Sequence, residues 1–587
     1  MAERKKQSLL TGAGVLAIAT VLVKLIGALY KIPLTNLITV EGYAYFQGAY
    51  AVYNPLYAIS MAGLPVAVSK LVSQSVEMGR IRDAKRIFTV ARRLFLAVGL
   101  FGTVLLAAIA VPYSKMVHSP QNYISILAVA PCIVFCCQMS SFRGYYEGLK
   151  NMTPTGVSQV IEAVIKLVFG LAGTYLCFNY WLDSYHKNAV DGAATVFGVQ
   201  VKNEAEALSA MYPYAAAVAI LGVTLGSMFG LLYLYIRYKR RGFGFTREEL
   251  VNSPPAESDK DIRKHIIRIA APVALSSVIL NVSNIIDDTT IRMRLAHAME
   301  VGSDIIKNMY NASLSMSGTL DEKIVDYLYG THGSVLNLKN LIPTITLTLG
   351  ISAIPALSTA WAKRNKREIK VTIESVLRVT MMIALPAGIG MAALAEPILS
   401  LLYHSQPDII PIATNLLRTY GFGIFLFAST SPITNMLQAV GRTDIPLKTI
   451  AIGSAVKILM NFILIGNPAI NINGAPISTT ICYALMLAIN LTSLLKVTKT
   501  KVNFISIFVK PLVAAASCGI TAAFTYMLLT TKMELGGSIS AIVSICAGGA
   551  VYAIMLVLVK GISKDDLEMI PKGEKIAKVL AKFGLLG

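Results

Sequence analysis

Two lysines, Lys24 and Lys31, interrupt the apolar stretch VLVKLIGALYKIPL. Seven residues make about two helical turns, so on a helix both ammonium groups lie on one face, roughly 10 Å apart along its axis. A lysine at the centre of a bilayer costs roughly 3 kcal/mol on insertion scales. Such a stripe fits a cavity that receives an anion. Snorkelling to the headgroups is the plainer alternative, and it suits Lys31, near the end of the run, better than Lys24. Gln159, Glu162 and Lys166 form a second polar face at i, i+3 and i+7. There the acid precedes the base by four residues, the favoured order for an ion pair on one helix. Mutual neutralisation and cavity lining are both open for that pair. Lys457 and Asn461 repeat the four-residue spacing. Arg143 and Glu147 close another apolar run, where bridging across its mouth competes with substrate contact. Asp287 and Asp288 end a further one, as a solvated helix end or as a cation ligand.

Behind these residues stands a chain of 587 residues that is 55% hydrophobic and only 14% charged, with a mean hydropathy of +0.61. That composition makes an all-α polytopic membrane protein. Apolar runs of about 20 residues or more fall at 9–32, 45–75, 94–117, 122–142, 155–180, 212–237, 266–289, 339–361, 371–395, 409–437, 447–467, 474–495, 504–530 and 537–559, which predicts fourteen transmembrane helices. The opening MAERKK imitates a signal-peptide n-region, but the run after it carries Lys24 and lacks a small-residue cleavage site, so it reads as a retained first helix.

The formal charge of +21 does not point to nucleic acid. Lys and Arg gather in alternate connections, at 79–93, 237–250 and 363–370 and beyond Lys560, as the positive-inside rule requires. The expected placement is the plasma membrane with both termini cytoplasmic. Cys132, Cys136 and Cys137 cluster on one run and the other cysteines are scattered, without paired CxxC motifs or Cys/His spacing. Neither zinc nor a disulfide framework is expected. The tail KGEKIAKVLAKFG sets Ile576, Val579, Leu580 and Phe583 on one face, as an interfacial helix or a helix packed on the bundle.

An internal repeat is also present. GLPVAVSK and ISAIPALSTAW place Pro65 and Pro355 290 positions apart. YYEGLKNMTPTGVSQVIEAVIK and MLQAVGRTDIPLKTIAIGSAVK separate Pro154 from Pro446 by 292 and Lys166 from Lys457 by 291. Six spans lie between the copies, so both enter the membrane in the same sense. Parallel repeats of this kind build transporters. The expected organisation is an N-terminal lobe (1–240, helices 1–6), a cytoplasmic linker (241–264), a C-terminal lobe (265–497, helices 7–12), helices 13–14 (498–560) and an amphipathic cytoplasmic tail (561–587).

The segments YKIPLTNLITVEGYAYFQGAYAVYNPLYAISMAGLPVAVSKLVSQ and SSFRGYYEGLKNMTPTGVSQVIEAVIKLVFG resemble the stage V sporulation protein B and polysaccharide-flippase family. That family sits in the multidrug/oligosaccharidyl-lipid/polysaccharide exporter superfamily, beside the MurJ lipid II flippases. The resemblance runs over essentially the whole chain. It implies two pseudo-symmetric six-helix lobes around a cavity, plus two C-terminal helices. It also implies transport of undecaprenyl-diphosphate-linked oligosaccharide, such as lipid II or a related cell-wall or spore-cortex precursor, with membrane lipid and a cell-wall synthesis complex as partners. The family's basic residues on the first helix match Lys24 and Lys31, its acid before the second matches Glu41, and its basic residue opening the eighth corresponds to Lys339. Lysine holds a phosphate as a point charge, without arginine's fork. The superfamily's sodium site is matched in part, by Asp287 and Asn461, with Ile465 where a carboxylate would stand.

Together these readings give a substrate site of Lys24, Lys31, Glu41, Arg143, Glu162, Lys166 and Lys339. They give no cofactor and no catalytic residues. Sodium, protons or the membrane potential are left as the coupling agent. A multidrug cation antiporter is the alternative, but it would want acids where the first helix offers lysines. A membrane glycosyltransferase would need an acidic metal pair on the cytoplasmic side, and Asp287–Asp288 is expected on the other. A non-transporting scaffold is the remaining class.

Overall fold

In hydrocarbon a chain must satisfy its backbone hydrogen bonds within itself, so long apolar runs become helices. The structure, a computed structural model, describes residues 9–189 and 192–563; the tail motif at 572–584 lies outside the described residues. Helix α1 (Leu9–Ala58) is broken at Thr39, whose φ of 58° no helix accommodates. It continues through a π-turn (Ile59–Gly63) into α2 (Leu64–Glu77). Then come α3 (Ile81–Met116), α4 (Asn122–Val129), α5 (Cys132–Gly148) and α6 (Thr153–Asn188). A hairpin of β1 (Ala194–Val196) and β2 (Val199–Val201) follows. Phe197 and Gly198 both have positive φ, the two-residue turn whose twist suits a hairpin. Helix α7 (Glu204–Arg241) is capped by the Asn203 side chain, which accepts from Glu206 N–H. It carries Glu204 and Glu206 in its first turn and Lys239, Arg240 and Arg241 in its last, each sign matched to the helix dipole.

After α8 (Arg247–Asn252) the long α9 (Asp259–Met309) bends at Gly302. Helices α10 (Asn311–Ser317), α11 (Ile324–Lys339), α12 (Leu341–Ala362), α13 (Lys366–Ala393), α14 (Ala395–Leu402), α15 (Ile410–Ala439), α16 (Asp444–Leu464), α17 (Gly474–Thr498), α18 (Lys510–Thr531) and α19 (Gly537–Leu558) complete the chain. Twelve helical runs among the described residues are long and apolar enough to cross a membrane. The protein is a multi-pass, helical membrane protein. The difference from fourteen has two sources. The first two expected spans share one run, Ile18–Glu77, and the seventh lies in α9, which is not among the twelve.

Contacts divide the chain into two compact units, 1–293 with 318–330, and 294–317 with 331–587. The division falls inside α9 and α11 rather than at the 241–264 linker. Within the first unit, the α6–α7 crossing matters most for function. Gly222, Gly226 and Gly230 recur every four residues along α7 and let the two backbones meet. A Cβ on Gly226 would lie 2.6 Å from the Glu162 carbonyl oxygen, and one on Gly222 2.5 Å from the Gly170 Cα. Gly144 and Gly148 do the same for α5 against α2, meeting the Pro65 and Ser69 carbonyls. The second unit has its own close approach at Gly388 of α13 and Gly421 of α15.

Candidate functional site: a cationic pocket in the first unit

Helices α1, α6 and α7 enclose a cavity of about 290 Å³. Lys24 projects from α1 into its wall, with Thr20 one turn earlier and Tyr30 further on. Beyond the break at Thr39 the same helix returns Tyr50, Tyr53, Asn54 and Tyr57. Helix α6 adds Gln159, Glu162 and Lys166, the three residues that the spacing placed on one face. The tyrosines sit at helical spacing and contact one another in sequence, Tyr50 to Tyr53 at 5.7 Å and Tyr53 to Tyr57 at 5.4 Å between ring centroids. A ladder of phenols therefore faces the two lysines.

Lys166 does not pair with Glu162. Its Nζ donates to Tyr50 OH (2.9 Å) and lies 4.9 Å from the Tyr30 ring centroid and 5.2 Å from that of Tyr50. Aromatic faces attract a cation without cancelling its charge. Glu162 is held from the other side. Arg143 of α5 donates from Nη2 to Glu162 Oε2 (3.2 Å) and from Nε to Ser158 Oγ (3.0 Å), with its guanidinium almost wholly buried. Ser227 of α7 donates to Glu162 Oε1 at 3.5 Å. Lys24, Lys166 and Arg143 against Glu162 leave the pocket two positive charges in surplus. Glu147, the nearer acid in sequence, instead accepts from Thr155 Oγ1 (3.0 Å).

Four of the sequence-derived residues thus meet here: Lys24, Glu162 and Lys166 line the cavity, and Arg143 stands behind it. Lys31 is half-buried outside the lining, close enough for its charge to act on Lys166. Glu41 is elsewhere in the unit. It is buried, accepts from Ser209 Oγ (2.7 Å), and belongs to a separate charged cluster. In that cluster Arg292 lies against Asp326, donates to the Ala44 carbonyl (2.9 Å) and covers the Tyr329 ring at 4.1 Å. Lys323 donates to Tyr45 OH (2.8 Å) and Gln121 Oε1 (2.9 Å).

Lys339 belongs to the second unit, buried among the rings of Tyr420, Phe427 and Tyr483 at 4.9–5.9 Å. Asn461, also there, accepts from Ser478 Oγ (2.6 Å), while Asp287 is half-buried in the first unit. Among the described residues no group of three or more His, Cys, Asp or Glu could hold a metal ion. The cysteines of α5 are free and buried. Cys132 and Cys136 lie within hydrogen-bond reach of Tyr53 OH (3.2 and 3.7 Å) and of Ser227 Oγ, so their thiols share a small polar cluster.

Sequence reading did not assign the tyrosines a role, although their period along α1 was visible. It also passed over Arg292 and Asp326. An ionisable residue soon after an apolar run is itself a signal.

The polysaccharide biosynthesis protein family matches residues 9–185, which carry most of this pocket, and the MatE family matches residues 309–463. Stage V sporulation protein B of Bacillus subtilis (strain 168) is 23% identical over 572 residues, covering 96% of this chain and 98% of the relative. Lipid II flippase MurJ of the same organism is 23% identical over 488 residues, covering 81% and 80%. Among solved structures, an inward-facing multidrug resistance MATE family transporter superposes with a TM-score of 0.61 at 14% identity, covering 81% of this chain and 94% of that one. The inward closed conformation of lipid II flippase MurJ gives 0.59 at 15% identity, covering 92% and 98%. The chain has the fold of these MATE and MurJ transporters. By sequence the chain is similar to stage V sporulation protein B over nearly its whole length.

Proposed function

We propose that the protein is a flippase that carries an undecaprenyl-diphosphate-linked glycan, lipid II or a related wall or spore-cortex precursor, from the inner to the outer leaflet. The observation that carries this reading is the surplus of positive charge in the first-unit pocket, where Glu162 is engaged by Arg143 and the Lys166 ammonium is hydrogen-bonded to Tyr50 and set against the Tyr30 ring. A diphosphate brings about two negative charges that need desolvated partners, and point-charge lysines accept them without strict geometry. The phenols beside them offer hydroxyls and ring faces to the first sugar. The name of the lipid II flippase MurJ relative supports the same cargo class.

With both termini cytoplasmic, the headgroup enters from the inner leaflet, the protein alternates between inward and outward access, and the prenyl tail remains in lipid. The inside-negative potential assists, since each charge crossing it is worth about 2.3 kcal/mol per 100 mV. A multidrug cation antiporter would need a carboxylate free to meet its cargo. Glu162, the carboxylate lining this pocket, is held by a buried arginine instead.

The test is translocation of a fluorescent prenyl-diphosphate glycan in vesicles reconstituted with the purified protein, read by loss of accessibility to an external quencher or enzyme. Transport that Lys24→Gln and Lys166→Gln both reduce supports the reading. Export of organic cations without lipid movement would replace it.

A further inference from the structure

Glu162 and Lys166 occupy the spacing at which an acid and a base on one helix find each other. Had they done so, Lys166 would be neutralised and the pocket would lose half its lysine charge. The structure shows why they do not. Arg143 reaches from α5 to the Glu162 carboxylate, and its Nε is fixed by Ser158 Oγ one turn earlier on α6. A buried guanidinium anchored at two points holds the carboxylate in a charge-assisted bond, against the half-buried Lys166 four residues along the same helix. Ser227 adds a second donor to the same carboxylate. Gly226, beside it in sequence, brings α7 against the Glu162 carbonyl and so sets that reach. Lys166 is left turned toward Tyr50 and Tyr30, using one of its three donors on Tyr50 OH.

We propose that Arg143 is a positioning residue: by drawing Glu162 away from Lys166 it keeps the Lys166 ammonium available to an anionic headgroup, without touching that headgroup itself. This rests on the anion-binding reading of the pocket above. It revises the sequence expectation of Arg143 as a substrate contact.

The experiment measures binding of inorganic diphosphate to the purified full chain by calorimetry. Arg143→Met should weaken binding about tenfold, because Glu162 swings to Lys166. Arg143→Met with Glu162→Gln should recover to within about twofold of the parent, since no acid remains to neutralise the lysine. A double variant as weak as the single one, or a single variant that binds like the parent, overturns the proposal. A second measurement does not depend on any ligand. Glu162→Gln and Lys166→Met are combined in a thermal-unfolding cycle, in the parent and in an Arg143→Met background. Additive effects in the parent and coupled effects without Arg143 support the positioning role; additivity in both backgrounds sinks it. If the parent fails to bind diphosphate while the cycle behaves as expected, the anion-carrying function falls and the positioning of Glu162 stands.

Discussion

Arg292 Nη1 lies 3.4 Å from a carboxylate oxygen of Asp326, and both side chains are almost completely buried. The pair joins α9 to α11, and Ser119 Oγ donates to the other Asp326 oxygen (3.3 Å). Removing one member of a buried pair strands the other charge, which costs about 3–5 kcal/mol. Arg292→Met and Asp326→Leu are each expected to lower thermal stability in detergent by that order. The double variant should recover most of the loss, because both charges are then gone. A double variant as unstable as the worse single one would mean that the side chains act through shape and not charge.

Gly170 supports the pocket from behind. A Cβ there would sit 2.7 Å from a Tyr30 ring carbon, and Tyr30 OH donates to the Ala219 carbonyl at 2.8 Å. Gly170→Val is expected to cost about 1–3 kcal/mol by overpacking and to displace the ring beneath Lys166. Gly173→Ala on the same helix meets only ordinary contact, 3.5 Å from Val218, and serves as the control. Equal melting temperatures for the two variants would contradict the packing described.

At Lys24 charge should matter more than shape. Lys24→Arg is expected to retain much of the function, Lys24→Gln to lose most, and Lys24→Glu to abolish it by repelling the cargo. Lys31 should follow the same order with smaller effects, since it stands outside the pocket lining. Complementation of a depleted strain at matched expression, beside prenyl-diphosphate binding to the purified protein, measures both series. Lys24→Gln that inserts, binds and complements like the parent would assign the lysine a structural role.

Orientation is testable by thiol labelling of intact cells, in a background without the exposed Cys546 and half-buried Cys177. Single cysteines placed at exposed positions of 181–211 or 291–335 should react from outside, and those at exposed positions of 239–262 or 363–370 should not. External labelling of 239–262 would reverse the topology and the entry side of the cargo.

Coupling should follow charge movement. Asp287 and Asn461 match a sodium site only in part, with Ile465 where a carboxylate would stand. Removing sodium is therefore expected to leave most transport intact, while collapsing the membrane potential reduces it. Strict sodium dependence with no effect of potential would refute this.

Hydropathy and helical period are local properties, and what they determine was legible from residues alone. The apolar runs, the one-face stripe of Lys24 and Lys31, and the shared face of Gln159, Glu162 and Lys166 follow from composition and a period of 3.6. The GxxxG-like spacing of Gly222, Gly226 and Gly230 was equally open to reading. Periodicity says which way a side chain points on its own helix, but not which neighbouring helix it meets. Only the packing of α5 and α7 against α6 decided that Glu162 pairs with Arg143 and Ser227 rather than with Lys166, four residues along its own helix. Only the break at Thr39 allowed α1 to present Lys24 and Tyr50 to one cavity. The same break turned Glu41 away, into the cluster with Ser209 and the 323–326 segment, where a buried carboxylate finds a donor that a lipid-facing or open position would not have supplied.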